Sequence, residues 1–328
     1  MSYKALLMLL AVLVAVLFCA SLLIGPSTIA PLEGLAALFT GDGAEGLVMR
    51  ELRLPRAVLG VAVGAALGLA GAAMQGFLRN PLAEPGLIGT SSGAALGAVL
   101  AIQTGAYGAF ALALPLSALA GAGAAVALIL LLAGRAGRAL TLILAGIAVS
   151  ALAGAATALV LNLAPSPWAA AEIVFWMMGS LADRSLGHVA LALPFLVAGA
   201  MVLFGAGRGL DALTLGEDGA AALGISLARL RLQIVFGTAL LVGAATAVAG
   251  AVGFVGLVVP HLLRRPCGAR PSALLPASAL GGAAMLLAAD IACRLIAPER
   301  DLKLGVLTAL VGAPFFLHLI ARLGREEA

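Results

Sequence analysis

Apolar residues fall along this chain in ten long runs separated by short polar stretches. The runs lie at about 5–24, 56–76, 86–103, 110–133, 139–162, 188–206, 230–250, 252–263, 273–296 and 305–321. A hydrocarbon core about 30 Å thick is crossed by about 20 apolar residues in a helix. The pattern therefore predicts an all-α polytopic membrane protein with about ten transmembrane helices. The run at 252–263 is short and contains Pro260, which predicts a half-helix or a kinked element, tolerated where neighbours satisfy the freed backbone. A further piece at 168–181 is too polar at its ends to span. The first run follows Lys4 and exceeds the apolar core of a secretory signal, about 7–15 residues. Phe18 before Cys19 speaks against lipoprotein cleavage. The run is expected to be a retained first span.

Two connections are polar enough to leave the membrane. Residues 25–55 form an expected outer connection. Residues 207–229, rich in Gly, Ala and Asp, form an expected inner one, made of short helices broken at Gly216 and Gly224. Neither resembles a soluble domain, so residues 1–328 are read as one transmembrane domain.

Composition agrees with the pattern. Of 328 residues, 63% are hydrophobic and 10% charged, against about 25% charged in soluble domains. The 42 glycines would weaken soluble helices. In a bilayer, small residues allow the close helix packing that lipid does not otherwise drive. Gly60, Gly64 and Gly68, with Ala72 continuing the series, form such a small-residue stripe.

The net charge of +4 is dispersed between spans, which speaks against a nucleic-acid surface. With the N-terminus inside, the inner loops receive Lys4, Arg79, Arg135, Arg138, Arg208, Arg229, Arg231, Arg264, Arg265, Arg270, Arg322 and Arg325. The outer side receives Arg50, Arg53, Arg56, Arg184, Arg294, Arg300 and Lys303. Twelve against seven of the 19 cations favours this orientation, since Lys and Arg are retained on the cytoplasmic side. The outer cations either pair with Glu51, Asp183, Asp290, Glu299 and Asp301 or carry a function.

Candidate chemistry is sparse. No GxxxxGK[ST] loop exists, so the chain is not expected to bind ATP itself. Cys19, Cys267 and Cys293 show no disulfide or zinc spacing and are expected to be small apolar residues in helices. His188, His261 and His318 lie on separate segments without metal-ligand spacing, and His261 is expected to satisfy local backbone. Asp290 and Arg294 stand four residues apart and should pair on one helix face. No acidic or basic residue reads as deep within a span, which disfavours an ion-coupled secondary transporter, the rival class that needs such groups in broken helices. An uncoupled channel or scaffold is the other rival.

Several long segments carry a resemblance. They are RLPRAVLGVAVGAALGLAGAAMQGFLRNPLAEPGLIGTSSGA (53–94), LTLILAGIAVSAL (140–152), FWMMGSLAD (175–183), LGEDGAAALGI (215–225), AVAGAVGFVGLVVPHLLR (247–264), LLPASALGGAAMLLAADIACR (274–294) and LGVLTALVGAPFFLHLIAR (304–322). Together they resemble the FecCD-type permeases, membrane subunits of importers for ferric siderophores, haem and vitamin B12. The resemblance implies a type II ABC importer permease fold in the bacterial inner membrane with both termini cytoplasmic. It implies a homodimer served by two ATPase subunits inside and one periplasmic binding protein outside. ATP and magnesium would sit on the ATPase, and the permease would bind no cofactor, hold no metal and catalyse no reaction of its own.

The resemblance also assigns residues. Leu215, Gly216, Glu217, Asp218, Ala221, Leu223 and Gly224 match the loop whose short helices couple to the ATPase subunit. Arg53, Arg56 and Arg294 match arginines that, in the vitamin B12 branch, receive acidic residues of the binding protein. The bland reading of these three is helix-end anchoring, or for Arg294 simple pairing with Asp290. Asn80 and Leu82 of the RNPLA turn match the gate region, although Asn-Pro also simply makes a turn. Where the family has Glu-Leu-Pro-Val-Gly before the last helix, this chain has Asp301-Leu302-Lys303-Leu304-Gly305, which alters the outer surface. The sequence names no chelate; a ferric siderophore leads by family frequency, with haem and vitamin B12 behind.

Overall fold

A computed structural model of the chain describes residues 2–25, 29–40, 43–110, 112–134, 139–298 and 301–326, without the side chains at 31, 40, 87, 88, 107, 139, 320 and 322–326. Of the loop charges tallied above, Arg135, Arg138, Glu299 and Arg300 lie outside the described residues, as do the side chains of Arg322 and Arg325.

Helices succeed one another from end to end, with no strand among the described residues. Helix α1 (Tyr3–Leu23) is followed by α2 (Pro31–Thr40), α3 (Gly43–Leu47) and a π-helical turn, Val48–Arg53, which leads directly into α4 (Leu54–Leu78). Then come α5 (Thr90–Gln103), α6 (Ala113–Ala133), α7 (Ala139–Asn162), α8 (Pro167–Met177) and α9 (Leu186–Gly205). Two short helices, α10 (Gly207–Leu213) and α11 (Glu217–Ala222), precede α12 (Leu227–Ala249), α13 (Val255–Arg264), α14 (Pro271–Ile296) and α15 (Leu304–Glu326).

Each of the ten apolar runs coincides with a helix. Among the described residues, seven helices are long and apolar enough to cross a membrane, and the segments Thr90–Gln103, Val255–Arg264 and Leu304–Leu319 are shorter. The 25–55 connection is more ordered than a polar loop. The described part is largely helical, and its last turns are continuous with α4 because Leu47, Met49, Leu52 and Leu54 keep it apolar. Helix α8 has 11 residues, about 16 Å, too short to span, as its polar ends predict.

Helices α4 and α12 form the centre. In each, 78% of the spanning window is buried, against 22% in α1 and 28% in α7 and α9. Helix α4 packs on α1, α9, α12, α13 and α14. Its glycine stripe makes this possible. A Cβ on Gly64 or Gly68 would run into the backbone of Gly282 or Ser278 on α14, and one on Gly71 into the backbone of Gly256. Lipid tails are as apolar as leucine, so helix association here rests on this close backbone approach rather than on the hydrophobic effect.

Candidate functional site

At one end of the bundle, α10 and α11 build a small platform. Gly216 (φ +93°) and Gly224 (φ +79°) bound α11 in conformations that side chains resist. Gly224 closes the helix in a Schellman turn, with Ile225 N–H donating to the Ala220 carbonyl at 3.0 Å and Gly224 N–H to Ala221 at 2.9 Å. Ala220 is fully buried, so the platform leans on it. Leu215 (69%) and Leu223 (63%) are exposed, as are Glu217, Asp218 and Ala221. The loop assigned by resemblance is thus brought together as one exposed surface with a leucine at each end.

A residue that sequence reasoning missed holds the platform in place. Helix α14 begins at Pro271 with Arg270 as its N-cap, which supplies no capping side chain. Asp211 of α10 does so from outside. Its carboxylate accepts from Ser272 N–H at 2.8 Å, Ser272 Oγ at 2.6 Å and Arg270 Nε at 2.8 Å. Burial alone would raise the Asp211 pKa, but the Ser272 hydroxyl and amide and the Arg270 guanidinium more than reverse this and hold it below 3.8. The only hint in the sequence was an acid amid small residues facing a helix start that lacks a cap of its own.

The RNPLA turn is formed. Arg79 adopts φ +50°, and Asn80 Oδ1 accepts from Leu82 N–H at 2.9 Å. That bond is the geometry of an Asx-turn, with Asn80 exposed and Leu82 half-buried. Beyond the turn the chain re-enters the helical bundle. Glu84 Oε1 accepts from Phe254 N–H at 3.0 Å, at the N-terminus of α13. A Cβ on Gly256 would meet Pro85 and the Leu67 carbonyl, near the midpoint of α4. An acidic group therefore does lie deep in the bundle, contrary to the sequence reading. It arrives from a loop, so no apolar run betrayed it, and the positive end of a half-helix favours it there. Buried Gln75 ties α4 to α13 further. It donates to the Leu257 carbonyl at 3.1 Å and accepts from Arg264 Nη2 at 3.0 Å.

At the opposite end, the expected outer one, Arg53, Arg56 and Arg294 converge, but they face into the bundle. Asp290, 2% exposed in its side chain, lies between two guanidiniums, Arg56 at 2.9 Å and Arg294 at 2.8 Å. Arg294 also donates to the carbonyls of Ser21 (2.8 Å) and Ile24 (2.5 Å) and to Ser21 Oγ (2.7 Å). Arg53 donates to the carbonyls of Leu22 (2.9 Å) and Leu23 (3.0 Å). The last turn of α1 has no basic residue of its own. The two arginines satisfy the carbonyls that a helix C-terminus leaves open. The geometry thus supports anchoring for Arg53 and Arg294, and Arg56 is the more exposed member at 21% of its side chain. The Asp290–Arg294 pair foreseen on one helix is real and belongs to a larger clip joining α1, α4 and α14.

Beside this clip the ends of α8, α12 and the start of α15 are stitched by backbone. Ser180 N–H donates to Ala249 (2.8 Å), Leu304 N–H to Gly179 (3.0 Å) and Gly305 N–H to Met178 (3.1 Å). Lys303, the departure from the family pattern, pairs with Asp301 and lies 5.4 Å from the Phe175 ring centre. An open groove of about 630 Å³ runs below, lined by Met177, Met178, Ala309, Ala313 and Leu317 among others. Among the remaining singled-out residues, His261 stands edge-on to Phe315 with ring centres 5.7 Å apart. His188 Nδ1 accepts from Ser185 N–H at 3.2 Å at the start of α9. Cys267 lies in the turn between α13 and α14 rather than in a helix, and burial pushes its thiol pKa up.

A profile of the FecCD transport family matches residues 13–322. The chain belongs to the FecCD transport family. The cobalamin import system permease protein of Halobacterium salinarum is 41% identical over 282 residues, covering 84% of this chain and 73% of the relative. The hemin transport system permease protein of Yersinia pestis is 38% identical, covering 83% and 82%. The ferric enterobactin transport system permease protein of Escherichia coli is 38% identical, covering 94% and 92%. A solved structure described as an inward-facing metal-chelate type ABC transporter superimposes with a TM-score of 0.86 at 33% identity, over 97% of this chain and 99% of that one. The helical bundle described above is therefore a FecCD bundle, and its relatives are transport permeases.

Proposed function

We propose that this chain is the membrane-spanning subunit of an ATP-driven ABC importer carrying a metal chelate inward, a ferric siderophore first, with haem or vitamin B12 as alternatives. The observation that carries this reading is the α10–α11 platform on a FecCD bundle, with Leu215 and Leu223 exposed at its ends and Asp211 locking it to α14. A surface of that kind transmits force from a docked ATPase subunit to the base of α14 and, through the glycine stripe, to α4. ATP and magnesium belong to that partner; this chain contributes docking and a path, not catalysis.

The assembly is a homodimer with two ATPase subunits inside and one binding protein outside, set in the bacterial inner membrane with both termini cytoplasmic. The groove beside α15, lined largely by Met, Ala and Gly, suits a bulky cargo because it offers few groups that would hold it. At the outer face Arg56 is the docking contact for acidic residues of the binding protein, and Arg53 and Arg294 position it by fixing the end of α1. Asn80 and Leu82 lie at the turn that leads to Glu84 and α13, where a gate would hinge.

The rival reading, an ion-coupled transporter, has one observation in its favour, the Glu84 carboxylate at a half-helix N-terminus. The two are separated by reconstituting the complex with its own binding protein in liposomes and supplying ferric siderophore, haem or cobalamin. Cargo-stimulated ATP hydrolysis with uptake of one of them is expected. Uptake without ATP, driven by a proton or sodium gradient, overturns the reading.

A further inference from the structure

Helices α6 and α9 both pack on α12 and leave a groove between them whose floor is α12. Its upper part, about 370 Å³, is lined by Gly123, Ala127 and Phe195 among others. It continues past Leu130 and Phe236 into a lower part of about 560 Å³ between α6, α7 and α12, lined by Leu142, Ala228 and Arg231 among others. Leu130 and Phe236 line both parts, so the groove is continuous. Along α12 its lining runs from Ala228 to Gly243, and the stretch beyond Arg231 is about 18 Å at the helical rise. That is somewhat more than half of a hydrocarbon core about 30 Å thick.

We infer that this groove is a binding site for one anionic phospholipid, with an acyl chain along α12 and the phosphate on Arg231. Three features favour that occupant. The walls are apolar throughout, and the small residues Gly123 and Ala127 on α6 give depth without width. A packed helix, about 10 Å across, needs a broader trough, whereas a methylene chain does not. Among the described residues, the one charged side chain lining the groove is a half-buried guanidinium, Arg231, at the end nearest α10 and α11. Its planar fork suits a phosphate better than a point charge would. Basic pockets between helices at the cytoplasmic face are a recurring headgroup site. On the orientation proposed above, the lipid belongs to the inner leaflet. Helix α12 begins just after α11, so an occupied groove would brace the helix that carries the platform.

The site is tested by native mass spectrometry of the full chain released from detergent with equal amounts of palmitoyl-oleoyl phosphatidylglycerol and phosphatidylcholine. Wild type is expected to retain the anionic lipid about fivefold to tenfold over the neutral one. Arg231→Gln should abolish that preference. Arg229→Gln, at an exposed position on the same helix that does not line the groove, should keep it. A Cβ on Gly123 meets open space, so Gly123→Phe fills the groove without touching the packing. It should remove bound lipid of either kind at an unchanged melting temperature. A preference that survives Arg231→Gln, or lipid that survives Gly123→Phe, overturns the assignment. A dimer mass lost in Gly123→Phe, with no lipid retained by wild type, would give the groove to a second copy of the chain instead.

Discussion

Asp290 is the residue on which the outer clip depends. It is 1% exposed and accepts from Arg56 and Arg294 at once. Replacing it leaves two guanidiniums facing each other in a dry site. Breaking a buried pair by removing one partner costs about 3–5 kcal/mol, so Asp290→Ala should lower the melting temperature in detergent markedly. A melting curve like wild type would show that the clip bears little weight. The arginines should then separate by experiment. Arg53→Ala strands the Leu22 and Leu23 carbonyls, costs about 1–3 kcal/mol and leaves binding-protein affinity near wild type. Arg56→Glu should weaken that affinity, more at low salt, because exposed charges are screened over about a Debye length. If Arg53→Ala weakens docking at wild-type stability, the division between anchor and contact is reversed. The sequence showed these arginines as outer cations but not which way they point. That depends on Ser21, Leu22, Leu23 and Ile24, whose carbonyls lie 30 to 273 residues away in the chain.

At the scale of elements, α10 and α14 are joined by Asp211. The folded pKa of Asp211 lies below its ordinary 3.8, so ionised Asp211 is favoured by the native state. The stability it adds is present above about pH 4 and is lost as pH falls through the depressed value. Asp211→Asn should therefore lower stability at neutral pH and flatten the loss of stability below about pH 4. Thermal melts of both forms across pH 3–7 measure this, and parallel curves would refute it. The exposed Arg270 pair contributes little by itself; the Ser272 bonds carry the effect, since they cap a helix that has no cap of its own. Element positions were legible in advance. All ten apolar runs became helices, and the short run with Pro260 became the half-helix α13. The descent of residues 83–89 to the middle of α4 was not legible, because a loop buried by its neighbours has no hydropathy signature.

At the scale of the whole molecule, the inner platform, the central α4–α14 pair and the outer clip form one connected path. Asp211 links α10 to the base of α14, the glycine stripe links α14 to α4, and Asp290 near the other end of α14 links it to Arg56 of α4 and, through Arg294, to α1. On the proposed function, a push on the platform would be delivered along α14 to the clip. Leu215→Asp with Leu223→Asp should leave the fold intact, because both side chains are exposed, and should separate ATP hydrolysis from uptake. Wild-type uptake by that double variant would remove the platform from the coupling path. The sequence by itself determined the solvent, the places of the ten apolar helices and the breaks at Gly216 and Gly224. These are sums over neighbouring residues, and the bilayer reads them one segment at a time. Tertiary structure alone decided that Arg56 meets Asp290, that Glu84 caps α13, that Asp211 caps α14 and that the groove along α12 between its neighbours reaches Arg231. Each of these joins residues distant in the chain, and their contact energy exists only once the helices are packed.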